Sequence, residues 1–277
     1  MTMFELGLIG YGSMGSMLLN NFLMAGVLRP EHVIVSTRTK DKLTPLLAGW
    51  PGVTVAKGNR ALAMNSKMVL IAVKPSDFKP LLDEIIPYIH NDAHLISIAG
   101  GVTVRDLESL FPGKVTRLIP SIMAEVGQGI ALACHNNRVT ADDVRRIDRM
   151  FGAIGTMKIV RESDLDTVVD LTSTAPGLIV AMLQEYAKAG VRHSTLTDEE
   201  AEQMLIATLY GTAKLLSERG MSLDDVISRV ATKGGSTEEG VKVLRNELPL
   251  TFDNMLNSTT RKRKNAGLKG SASVKTY

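Results

Sequence analysis

The sequence predicts an α/β protein: a doubly wound sheet in the N-terminal part, followed by an all-helical C-terminal part. Three observations predict it. The glycine-rich turn Gly10-Tyr11-Gly12-Ser13-Met14-Gly15 follows an apolar run, Phe4 to Ile9, and opens into the helix-like stretch Ser13 to Leu23. Short apolar runs then alternate with amphipathic stretches up to about residue 160. After about Ser163 strand signals stop, and only helix-like periodicity continues.

The strands are continuous apolar runs of four to six residues, as expected when both faces of a parallel sheet are covered. After Phe4 to Ile9 they are His32 to Ser36, Met68 to Val73, His94 to Ile98 and Val115 to Ile119, with two more at 129–134 and 155–160. Amphipathic stretches at Pro75 to Ile89, Val102 to Leu110 and 140–152 connect them, the second opening on the capping pair Thr103 and Asp106. Downstream, helices are predicted at 176–192, 197–219, 222–230 and 237–247, with a short last one at 249–260. Thr197 and Glu200 form a capping box ahead of apolar residues at helical spacing. The predicted organisation is 1–162 for the sheet domain, 163–260 for the helical domain and 261–277 for a basic, disordered tail.

A turn of the form G-x-G-x-x-G between strand and helix has a defined chemistry. Gly10 makes the tight turn, Gly12 lets a pyrophosphate approach the backbone, and Gly15 lets helix and strand pack closely. Free amides of Tyr11, Ser13 and Met14 at a helix N-terminus then hold the anion. A dinucleotide is therefore expected, in a Rossmann-type domain. At the end of the second strand, where an acid would bond both ribose hydroxyls, the chain reads Ser36-Thr37-Arg38-Thr39-Lys40. Hydroxyls and a guanidinium suit a 2′-phosphate, so NADP(H) is preferred over NAD(H). Asn59 and Ala72-Val73-Lys74-Pro75 fall at strand ends of the switch-point crevice and join the cofactor-binding set.

Composition bounds the alternatives. Aromatic residues make up 4%, too few for base-stacking platforms, and the net charge is only +3. Arg261, Lys262, Arg263, Lys264, Lys269 and Lys275 concentrate positive charge in the tail, read as a solvated segment rather than a nucleic-acid site. The single cysteine, Cys134, lies in a strand and reads as a buried structural thiol. No secretory signal, no membrane span and no metal site are expected, and the default location is the cytoplasm. The apolar helical half suggests a homodimer.

A second anion cradle is read at Thr232-Lys233-Gly234-Gly235-Ser236-Thr237: exposed amides and hydroxyls at a helix start, suited to a small carboxylate. An ordinary capped loop between helices is the competing interpretation of the same residues.

Taken together, Gly10 to Gly15, Ala72 to Pro75, Ser97-Ile98-Ala99-Gly100-Gly101-Val102-Thr103 and the 232–237 loop resemble the pyrroline-5-carboxylate reductase family over nearly the whole chain. The resemblance implies a nicotinamide cofactor in the N-terminal domain, with Ala99 and Gly100 beside it. It also implies a helical domain that forms a dimer or a higher oligomer. The 232–237 loop would hold the carboxylate of a small imine, and the Thr237 hydroxyl would lie near the imine nitrogen. The implied reaction is NADPH-dependent reduction of 1-pyrroline-5-carboxylate to L-proline. Three segments depart from the family pattern. Ile119-Pro120-Ser121-Ile122-Met123 stands for M-P-N-T-P, Thr172-Ser173-Thr174-Ala175-Pro176-Gly177-Leu178 for S-G-S-G/S-P-A-Y, and Lys233 for the proline of S-P-G-G. These departures keep two alternatives open: an NADP-dependent reductase of another small cyclic imine or keto acid, and a non-catalytic NADP-binding paralogue with a regulatory role.

Overall fold

A computed structural model describes residues 3–275, with side chains through Asn265. It divides into two units, residues 1–174 with 260–277, and residues 175–259.

The first unit is built on one eight-stranded sheet. Its strands are β1 (Phe4–Ile9), β2 (Val33–Ser36), β3 (Thr54–Val55), β4 (Ser66–Ile71), β5 (His94–Ser97), β6 (Lys114–Ile119), β7 (Gly129–His135) and β8 (Gly155–Ile159). They lie in the order β3-β2-β1-β4-β5-β6-β7-β8. All neighbours pair parallel except β6 and β7, which are antiparallel with Leu118 opposite Ala133. The order reverses between β1 and β4, so the crevice that receives ligands in such sheets opens at the ends of β1, β2 and β4. Alternation along each strand supplies two cores. Val33, Val35, Leu6 and Leu8 face one layer, and Ile34, Val69, Ile71 and Leu95 the other. The helices covering them include α1 (Ser13–Met24), α2 (Thr44–Gly49), α3 (Asn59–Met64), α4 (Pro75–Ile85), α5 (Val104–Leu110), α6 (Ala141–Gly152) and α7 (Leu165–Asp170). Thr103 and Thr140 cap α5 and α6 through complete capping boxes.

The division falls after Thr174 rather than after residue 162. The reason is α7: Leu165 and Val169 are buried in the sheet's core, so the segment after Ser163 still belongs to the first unit. Cys134 is buried, its thiol donates to the Val160 carbonyl at 3.3 Å, and burial beside Glu162 pushes it up to about 11. A thiol so placed is inert at neutral pH.

The second unit contains α8 (Ala175–Arg192), α9 (Asp198–Ser217), α10 (Leu223–Val230) and most of α11 (Ser236–Lys275). Thr197 and Ser222 cap α9 and α10. The two helices expected at 237–247 and 249–260 form one continuous helix with Pro249 inside it. That helix also runs through the segment expected to be disordered, as far as Lys275. A named contact holds its end. Arg263 donates to both carboxylate oxygens of Asp170 and, at 2.7 Å, to the Asp166 carbonyl. Asp170 is buried, so this bidentate pair is shielded from screening and ties α11 to α7. The stretch Glu162–Arg192, in which no membrane span is expected from the sequence, is long and apolar enough to cross a bilayer. It is broken at 171–174, between α7 and α8.

The helices of the second unit leave large apolar side chains in solvent. Val180 and Tyr186 on α8, Met204, Ile206 and Tyr210 on α9, and Val243 on α11 are all exposed by more than half. Of α8 and α9, only Ala187 and Ala201 are buried.

Candidate functional site

A cleft of about 410 Å3 opens at the switch point of the sheet. Its floor is the glycine turn. Gly10 has φ +100°, and its amide donates to the Ser36 carbonyl at 2.8 Å, bending the chain out of β1 beside the end of β2. A Cβ at Gly10 would lie 2.4 Å from the Ala72 carbonyl oxygen, and one at Gly15 2.3 Å from the Gly10 carbonyl oxygen. Both glycines are thus required by backbone packing. Gly12 differs: a Cβ there meets nothing within 4 Å. Its Cα faces open space in the cleft, as a backbone that receives a ligand must. Ser16 makes the first intrahelical bond, to the Gly12 carbonyl at 2.9 Å, so the amides of Ser13, Met14 and Gly15 precede it. These donors and the open Gly12 fit the pyrophosphate of a dinucleotide. Tyr11 is buried, and its hydroxyl accepts from Asn20 at 3.1 Å, pinning the turn to α1.

The far end of the cleft is lined by Ser36, Thr37, Arg38, Thr39 and Lys42. Ser36 donates to Asn59 Oδ1 at 2.6 Å, and Asn59 donates to Glu84 Oε2 at 3.0 Å. This chain ties β2, α3 and α4 together beneath the cations. Ser36 and Asn59 therefore shape the wall with their polar groups already engaged, while Thr37, Thr39 and Lys42 have no side-chain partner among the described residues. Arg38 lies 3.5 Å from Asp77 on α4, across the cleft, and its side chain is 85% exposed. A surface pair of this kind is weak and exchangeable. On the third side, Ala72, Val73 and Lys74 lead from β4 into α4, where Pro75 occupies the first helical position.

The structure therefore brings Gly10, Tyr11, Gly12, Ser36, Thr37, Arg38, Asn59, Ala72, Val73 and Lys74 to one cleft. Ser13, Met14 and Gly15 stand behind it as the start of α1, and Pro75 starts α4. Ala99 and Gly100 do not line it. They follow β5, the strand beyond β4, with Ala99 buried and Gly100 exposed. Sequence reasoning missed Lys42, Asp77 and Glu84. Lys42 could have been noticed from its nearness to Arg38, but the two acids come from a helix about forty residues on, and only the fold places them there.

The 232–237 loop lies in the helical unit. Gly234 has φ +77°, and the Gly235 amide donates to the Thr232 carbonyl at 2.9 Å, closing a tight turn before α11. A Cβ at Gly235 would sit 2.9 Å from Thr232 Oγ1. Lys233, Ser236 and Thr237 are exposed. Glu238, which the sequence did not single out, accepts from the Gly234 amide at 2.7 Å. In the departed segments, Ser121 is buried and caps the turn through the Met123 amide, while Ile122 is exposed. Thr172 is buried and donates to the Val168 carbonyl at 2.8 Å.

Two families match separate stretches of the chain. Residues 162–266 match the family described as pyrroline-5-carboxylate reductase dimerisation, and residues 5–101 match NADP oxidoreductase coenzyme F420-dependent. Pyrroline-5-carboxylate reductase 3 of Bacillus subtilis is 37% identical over 259 residues, covering 93% of this chain and 95% of its own. Among solved structures, a pyrroline-5-carboxylate reductase from Coxiella burnetii superposes with a TM-score of 0.82 at 23% identity, covering 97% of this chain and 99% of that one. A Plasmodium falciparum pyrroline carboxylate reductase with NADP bound superposes with a TM-score of 0.79 at 23% identity, covering 95% and 98%. At that identity the two structures speak to the fold.

Proposed function

The chain belongs to the pyrroline-5-carboxylate reductase family, and from that premise we propose that it reduces 1-pyrroline-5-carboxylate to L-proline with NADPH, in proline biosynthesis. It is an oxidoreductase acting on CH–NH bonds and uses NADP(H). The observation that carries the cofactor reading is the cleft itself: an open Gly12 at one end, and Thr37, Arg38, Thr39 and Lys42 at the other.

When bound, NADPH would supply the hydride that reduces the C=N carbon, and the nitrogen takes up one proton to become the amine of proline. The work of the chain is binding and orientation. The amides of Ser13, Met14 and Gly15 would hold the pyrophosphate, and Arg38 would exchange Asp77 for the 2′-phosphate, assisted by Lys42 and the Thr37 and Thr39 hydroxyls. Thr232, Lys233, Gly234, Gly235, Ser236 and Thr237 would hold the substrate, its carboxylate on the loop amides. The Thr237 hydroxyl would bond the imine nitrogen, orienting it and relaying a proton. The exposed apolar faces of α8, α9 and α11 support a homodimer built on the helical unit.

A second reading keeps the chemistry and changes the substrate to another small cyclic imine or keto acid. Lys233 favours it, since an exposed cation beside the cradle suits a substrate with a second acidic group. Following NADPH absorbance with 1-pyrroline-5-carboxylate, then with other cyclic imines and 2-keto acids, separates the readings. Turnover with the first supports the proposal. Turnover only with others moves the substrate. NADPH binding without any turnover supports a regulatory paralogue.

A further inference from the structure

We infer that Glu238 is a specificity-determining gate: its carboxylate occupies the Gly234 amide that a substrate carboxylate would take. The inference rests on the substrate reading of the 232–237 loop given above and adds to it a competitor supplied by the chain itself.

The loop has few amides to offer. That of Gly235 is spent on the Thr232 carbonyl, and that of Glu238 on the Gly235 carbonyl at 3.1 Å. Among the described residues, the amides of Ser236 and Thr237 have no partner, and that of Gly234 is held by Glu238 Oε2 at 2.7 Å. A carboxylate oxygen thus already sits on the Gly234 amide, next to the unpartnered amides of Ser236 and Thr237.

The contact is not the usual cap. In α5, α6, α9 and α10 the acid in the third helical position bonds the amide of the residue immediately before the helix: Asp106 to Thr103, Asp143 to Thr140, Glu200 to Thr197 and Asp225 to Ser222. Glu238 holds the same position in α11, but it reaches past Gly235 to Gly234, the residue in left-handed geometry. It therefore crosses the face of the cradle instead of closing the helix end. The neighbouring acid does not share this role, because Glu239 pairs with Lys242 at 2.7 Å.

Two carboxylates cannot share one amide, and at this range they repel. A substrate carboxylate must therefore displace Glu238, which then swings into solvent. A neutral cyclic imine has no such competition. The gate raises the KM of carboxylate-bearing imines and leaves that of carboxylate-free ones alone, weakening selection between them.

The test compares wild type, Glu238→Gln and Glu238→Ala at saturating NADPH, with 1-pyrroline-5-carboxylate and with carboxylate-free 1-pyrroline. Loss of one exposed charge-assisted competitor should lower the KM for the carboxylate imine about three- to tenfold, with a smaller change in kcat. The KM for 1-pyrroline should stay where it is. A role confined to capping α11 predicts the reverse: a lower melting temperature and a KM that is unchanged or higher for both imines, which overturns the gate. Calorimetric titration with L-proline covers an enzyme inactive on 1-pyrroline-5-carboxylate. Tighter binding to Glu238→Gln than to wild type keeps the gate while the substrate reading falls, and equal binding overturns the gate.

Discussion

Replacing Gly12 by alanine should separate ligand binding from folding. At Gly12 the backbone has φ −86°, which any residue adopts, and an added Cβ meets nothing within 4 Å. Gly12→Ala should therefore unfold within about 0.5 kcal/mol of wild type, the small gain in chain stiffness offsetting a poorer helix cap. Its methyl group would instead stand where the pyrophosphate approaches. Losing one or two charge-assisted bonds costs about 1.5–3 kcal/mol, so the Kd for NADPH should rise roughly ten- to 150-fold. Gly10→Ala is the contrasting variant. With φ +100° and the Ala72 oxygen 2.4 Å from the new carbon, strain and displacement should exceed about 2 kcal/mol. At roughly 2–4 °C per kcal/mol, that lowers the melting temperature by at least about 4 °C. NADPH fluorescence titration and thermal melts read the two effects. If Gly12→Ala bound NADPH as wild type does, the pyrophosphate would not lie on this turn. If the two variants melted alike, the division of labour between the glycines would be wrong.

Arg38→Ala and Lys42→Ala should each weaken NADPH about tenfold while hardly changing NADH, since only the 2′-phosphate differs. Equal losses for both cofactors in a binding titration would refute a phosphate role. Burial drives His94 down to about 3, against the opposing pull of Asp143. The unfolded chain takes up that proton near its ordinary value, so this stability is complete above about pH 6.5 and is lost as pH falls toward 3. Between pH 7 and 5 the loss is about 2 kcal/mol in urea unfolding. His94→Gln, which can still meet Thr116, should flatten that slope, and an unchanged slope would exclude His94 as its source. Lys233→Pro should lower the preference for dicarboxylate over monocarboxylate imines, read as a ratio of kcat/KM. Ile206→Asp, at a side chain 59% exposed on α9, should shift the protein from dimer to monomer in size-exclusion chromatography.

Much of the candidate cofactor cleft was legible in the chain because its parts are local. A strand, a turn and a helix that follow one another in sequence carry Gly10 to Gly15, and the end of the second strand carries Ser36 to Arg38. What could not be read there were residues joined only by topology. Asp77 and Glu84 enter the cleft because the order of strands reverses between β1 and β4, which brings α4 against the end of β2. The compact division after Thr174 was not visible in the chain because α7 is too short to show periodicity, yet Leu165 and Val169 complete the core of the sheet. The helices expected at 237–247 and 249–260 are one, which continues through Pro249 to the Arg263–Asp170 pair, a partnership spanning 93 residues.

The two cradles divide the same way. By itself the sequence marked both as candidates, since glycine next to small hydroxyl residues at a helix start is a short-range pattern whose geometry needs no distant partner. Only the tertiary structure decided how each donor is used. Gly10 and Gly15 are committed to backbone packing and Gly12 is left open, because the segment after β4 presses on the first two, the turn's own Gly10 carbonyl also on Gly15, and neither on the third. At the second cradle, the Gly234 amide belongs to Glu238, because α11 begins where that side chain can reach back across the turn. Hydrogen-bond capacity is written in residue type, but its allocation depends on which groups the fold brings within 3 Å.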